Sequence, residues 1–223
     1  MTPTMNPTTQ TKQWQPMNNE TQYRKANPEA ETRAGVAGME IRAKDDGTKM
    51  LRGYALKFNQ RYDLGWFTES IERGALDSAD MSDVRALLNH DPNFVLGRTS
   101  AGTLRLKTDE TGLMYEIDLP DTQTARDLAT SIERGDISQS SWAFTIAGEE
   151  AGKRGETWED DYKKRTITKV ARVFDVSPVT YPANPDTTVA KRSLDELKSE
   201  AEQNELLNQR SLQIRALLAK HPK

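Results

Sequence analysis

Residues 137–146 alternate like a β-strand. Extended, this stretch puts Trp142, Phe144 and Ile146 on one face and Ser141 and Ala143 on the other. A strand anchored by two aromatic rings is a rigid mount for whatever its other face carries. The same period predicts strands over 39–43 and 50–58, joined by Asp45-Asp46-Gly47, a strong hairpin signal. Residues 59–75 read as a loop carrying Trp66, Phe67 and Glu69, with a short helical turn near 77–83. The run 84–90, extended, lines up Val84, Ala86, Leu88 and His90 ahead of an Asp91-Pro92 breaker. Leu104 and Leu106 alternate in another strand, and so do Leu113, Tyr115, Ile117 and Leu119.

Helical spacing is confined to two places. Ala125, Leu128, Ala129 and Ile132 recur at 3.6-residue intervals between Thr122 or Thr124, as a cap, and Gly135, as a stop. Ser193-Leu-Asp-Glu196 reads as a capping box opening a polar helix to about Lys220, with too few apolar positions for a coiled coil. Residues 147–164 read as a charged loop or hairpin tip, and 165–179 as one β run ended by the prolines of Tyr181-Pro-Ala-Asn-Pro185. The expected organisation is a disordered arm over 1–35, rich in Thr, Asn, Gln and Pro, a strand-dominated domain over 36–190, and a helical tail over 191–223.

Composition narrows the function classes. A mean hydropathy of −0.80 fits a body with polar tails. The net charge of −3 argues against a nucleic-acid surface. No apolar run approaches the length that spans a bilayer, and no signal pattern opens the chain. With no cysteine and two histidines, thiolate chemistry is out and no metal or cofactor is expected.

Scarce histidine also narrows the chemistry. His221 is three residues from the last residue, so imidazole base catalysis falls to His90. An imidazole takes and returns protons near neutrality. Ser141, on its rigid strand, is the candidate nucleophile, and a serine hydroxyl needs such a base. Asp175, an acid inside the apolar run Val173-Phe-Asp-Val-Ser-Pro-Val179, is a candidate to orient the base, with Glu116 and Asp118 as fallbacks. Each has a plain structural alternative: a strand serine, a satisfied histidine, a solvent-facing acid.

Five segments stand in order along the chain: Leu51-Arg-Gly-Tyr-Ala55; Glu69 through Gly74-Ala-Leu76; Leu87-Leu-Asn-His90 with Val95-Leu-Gly-Arg98; Gly135-Asp-Ile through Ser140-Ser-Trp-Ala-Phe144; and Asp175-Val-Ser-Pro-Val-Thr-Tyr-Pro-Ala183. Together they resemble the prohead (capsid maturation) serine proteases of HK97-type tailed bacteriophages. The resemblance covers about residues 39–190. It implies a mainly β fold with flanking helices, a β-barrel similar to the herpesvirus assemblins. It also implies His90 as base and Ser141 as nucleophile; Asp175 is the choice for the acid where many relatives carry glutamate. Ser140 competes with Ser141, but strand parity turns it toward the aromatic face. Backbone amides near Ser141 or in 92–98, or Arg98, are the candidates for stabilising an oxyanion.

The implied function is a serine endopeptidase inside the phage procapsid, in the host cytoplasm. Its implied partners are the major capsid protein, whose scaffolding segment it would cut, and itself, through autoprocessing or an oligomer; neither nucleic acid nor membrane is expected. Two rivals come from other classes: an inactive β-barrel capsid or scaffold component, and a β-rich binding module in which His90 and Ser141 never meet.

Overall fold

The structure is a computed structural model that describes residues 30–148, 154–181 and 187–220. Thirteen strands form three sheets among the described residues, and two α-helices flank them. The expected mainly β fold with flanking helices is therefore present, but the barrel does not close. The five-stranded sheet runs β1 (Glu31–Ala37), β10 (Gln139–Ile146), β13 (Val170–Val179), β6 (Arg85–Leu88), β7 (Asp91–Arg98). A four-stranded sheet orders β2 (Glu40–Ala43), β3 (Lys49–Lys57), β9 (Gly112–Asp118) and β8 (Leu104–Thr108). A second one orders β11 (Glu156–Glu159), β12 (Lys164–Ile167), β5 (Thr68–Ile71) and β4 (Tyr62–Asp63). The run expected over 165–179 is cut between Ile167 and Val170, where the chain leaves one sheet for another. A barrel wall that would have used that run continuously is divided, and each sheet keeps its edges.

Other boundaries also move. The first strand lies at Glu31–Ala37, so the last five residues read as arm belong to a sheet; residues 1–29 lie outside the described ones. The segment read as a loop over 59–75 holds β4 and β5, and the expected charged tip contains β11, paired antiparallel with β12. The helical turn expected near 77–83 is instead turn structure over 73–78, followed by Asp80 bridging to Arg172. Asp91-Pro92 opens β7 and does not end the pairing, because an edge strand tolerates a residue with no N–H.

Helix α1 (Gln123–Arg134) follows its sequence signals. Thr122 accepts from the Ala125 N–H at 3.3 Å, and Gly135 closes the helix at φ 84°. Ala125, Leu128, Ala129 and Ile132 are buried. Helix α2 (Thr187–Lys220) starts six residues before Ser193, so the capping box lies inside it and does not mark its start. Neither helix is long and apolar enough to cross a membrane.

The core lies between the five-stranded sheet and the sheet of β2, β3, β9 and β8, with β3 against β1 and β10. Trp142 and Phe144 stack in it with centroids 3.9 Å apart, and both are essentially inaccessible. Their burial fixes the register of β10, since a one-residue slip would exchange its two faces.

Candidate active site

Strand β10 turns Ser140 and Ser141 in opposite directions. Ser140 Oγ meets the buried Tyr115 hydroxyl at 2.7 Å. Gly53, from the segment Leu51-Arg-Gly-Tyr-Ala55, leaves room for that hydroxyl: a Cβ at this position would lie 2.7 Å from it. Burial pushes the Tyr115 phenol well above its usual range, and its contact with Ser140 only partly offsets this, so it stays a neutral partner.

Ser141 faces the other way. Its Oγ lies 2.6 Å from His90 Nε2, and His90 Nδ1 lies 2.6 Å from Asp175 Oδ1. The structure thus brings together the three residues singled out from sequence. The carboxylate accepts, so the neutral imidazole that satisfies both contacts carries its proton on Nδ1 and accepts the Ser141 hydroxyl at Nε2. Asp175 is 1% exposed, and the His90 side chain 14%.

Three strands position these groups. Ser141 lies opposite Ser177 in the β10–β13 ladder, and Ala143 lies opposite Asp175. Strand β6 runs parallel to β13 on its other side, Arg85 beside Asp175. It therefore delivers the β6–β7 turn near the end of β13. That turn is a two-residue hairpin loop, Leu88 pairing with Asp91 around Asn89 and His90. Both central residues have positive φ, 54° and 57°, as a type I′ turn requires. His90 is thus a turn residue, not the end of an extended row as expected. A non-glycine residue held there costs about 1–2 kcal/mol, which the surroundings must offset.

Asn89 supplies part of that offset. Its N–H donates to Pro178 O at 3.0 Å, its Oδ1 accepts from Thr180 N at 2.8 Å, and its Nδ2 donates to Thr180 Oγ1 at 3.1 Å. The turn carrying the imidazole is thereby bound to the strand carrying the carboxylate. Ser177 is the other residue that sequence reasoning passed over: its Oγ donates to Asp175 Oδ1 at 2.7 Å, and it is fully buried. The signal available for it was its parity with Asp175, two residues along one strand.

The remaining candidates lie elsewhere. Arg98 gives its guanidinium to Asp83, at 2.6 and 2.8 Å. Asp118 pairs with Arg105 and Lys44, and Glu116 with Arg105 and Arg52. His221 and the Pro182-Ala183 end of the last motif lie outside the described residues.

The profile of the caudovirus prohead serine proteases matches residues 37–200. The chain belongs to that family. The match opens at the last residue of β1 and takes in every strand after it, together with His90, Ser141 and Asp175. Among solved structures, the capsid assembly protease gp21 of bacteriophage T4 is similar, with a TM-score of 0.45 and 10% identity, covering 69% of this chain and 98% of that one. No curated protein matches the chain in sequence. Membership in the prohead serine proteases makes this a capsid-maturation protease chain.

Proposed function

We propose that the chain is a serine endopeptidase of the procapsid that cuts the scaffolding segment of the major capsid protein, and its own tails, during head maturation. The single observation that supports this most is the unbroken line Ser141–His90–Asp175, with both hydrogen bonds at 2.6 Å. His90 Nε2 takes the hydroxyl proton as Ser141 Oγ attacks the scissile carbonyl, and Asp175 stabilises the imidazolium that results. The imidazolium then gives its proton to the leaving amine, and the C–N bond breaks to leave an acyl-enzyme. A water, deprotonated by His90, releases the acyl group and restores the serine. Nothing in this sequence of steps calls for a metal or cofactor.

The test is co-expression with the major capsid protein of the same phage, followed by mass spectrometry of the cut ends. Cleavage that disappears with Ser141→Ala supports the reading. A capsid protein left intact by the wild-type chain, in assembled procapsids, sinks it and favours an inactive shell component. Cleavage should also rise from acid toward neutral pH, because a protonated imidazole cannot accept the serine proton.

A further inference from the structure

We infer that Ser177 is a positioning residue that sets how strongly Asp175 draws on His90. This rests on the protease reading above. Asp175 Oδ1 is the oxygen that meets His90 Nδ1, and the same oxygen accepts the Ser177 hydroxyl at 2.7 Å. The donor and the carboxylate are both sealed from water, at 0% and 1% exposure, so their hydrogen bond acts in a low-dielectric setting. A hydroxyl donated to a carboxylate draws off negative charge. Ser177 therefore weakens the pull of Asp175 on the imidazole proton and keeps His90 a base that can return what it takes. It also fixes the carboxylate rotamer from the register position opposite Ser141.

Charged residues neighbour this pair on β6 and on β7. Arg85 of β6 lies beside Asp175 in the ladder, but its side chain is 41% exposed and its guanidinium reaches Asp83 at 3.4 Å. Asp91 of β7 follows His90, and its Oδ1 is engaged by Asn93 N and Nδ2, both at 2.9 Å. On β10, Ala143 lies opposite Asp175 and brings no charge. Of these, the Ser177 hydroxyl is the group in direct contact with the oxygen that His90 meets.

Ser177→Ala tests this, with two readouts. Cleavage of the capsid protein should fall about tenfold, the scale of one buried hydrogen bond. The acid limb of its pH profile should move to higher pH, because an undiluted carboxylate holds the imidazolium more firmly. Independently of turnover, NMR on the full chain carrying His221→Gln follows a single imidazole, and its titration midpoint should move in the same direction. Ser177→Thr, which restores the hydroxyl, should return both readouts. Ser177→Cys, a much weaker donor of similar shape, takes the place of the alanine variant if that one does not fold. An unmoved acid limb and an unmoved NMR midpoint would reduce Ser177 to a satisfied core hydroxyl. Failure of the protease reading is separate: it shows as cleavage that survives Ser141→Ala, and leaves the NMR outcome to decide Ser177.

Discussion

At the scale of single residues, the proposed chemistry depends on groups that act as a unit, so their losses should not add. Ser141→Ala and His90→Ala should each remove about four to six orders of magnitude of capsid cleavage, and the double variant should be scarcely worse. Asp175→Asn should cost less, since an amide still positions the ring but stabilises the imidazolium poorly. Ser140→Ala is the control, one residue away and hydrogen-bonded to Tyr115 on the opposite face. Loss of cleavage there, with retention in Ser141→Ala, would reverse the assignment. The turn makes a second prediction. Asn89→Gly keeps the positive φ that the backbone needs but removes both contacts with Thr180, so it should lower turnover more than stability. Equal loss in both, by kinetics and thermal melting, would make Asn89 a structural residue only. How these residues are carried was only partly legible. Strand parity separated Ser141 from Ser140 because burial of Trp142 and Phe144 fixes the face. The conformation of His90 was not legible, because Asn-His lacks the glycine that usually announces a type I′ turn.

Among the elements, those with strong local signals sit close to where periodicity puts them. Helix α1 has its cap, its stop and its four-residue apolar stripe, and β2 and β3 have Gly47 at φ 80° in their turn. Strand β1 has none of these. Its register with β10 breaks between Ala34 and Val36, so alternation fails at Gly35. Its buried residues include Glu31 and Arg33, charges that look solvated in a sequence. Their burial is set by partners 36 and 134 residues away, which no local pattern contains. The expected disordered arm over 1–35 therefore does not extend to Glu31 and Arg33, which are buried in β1. A chain starting at residue 38 loses the strand beside the Ser141 strand, whereas one starting at residue 30 keeps it. The first should melt well below the second and cleave poorly. Equal melting temperatures would show that β1 contributes nothing to the five-stranded sheet.

Across the whole molecule, β1 also joins two sheets through charge. Arg33 donates to Glu69 of β5 at 2.7 and 2.8 Å and pairs with Glu31. Arg165 of β12 reaches Glu31, Glu69 and Glu156 at 2.6–2.8 Å. All five side chains are at most 4% exposed, so their desolvation is offset only while every partner is present. Arg165→Met should cost about 3–5 kcal/mol in denaturant unfolding, because it removes a guanidinium that three buried carboxylates share. The cluster also makes stability acid-sensitive with a definite sign. Burial alone would push the Glu31 carboxyl up, but Arg33 and Arg165 overturn that and hold it down at about 2, against an ordinary 4.5. A carboxyl depressed by folding stabilises fully above its unfolded value and loses that contribution as pH falls toward the folded one. The Glu31 share should thus be intact at neutral pH and drain away between about 4.5 and 2. Glu31→Gln should start from a lower melting temperature at pH 7, and its melting temperature should fall less steeply than the wild type's through that window. Parallel curves for the two proteins from pH 5 to 2 would mean that Glu31 is not held ionised in the fold, and would leave the Arg33–Glu69 pair as the charged link between β1 and β5.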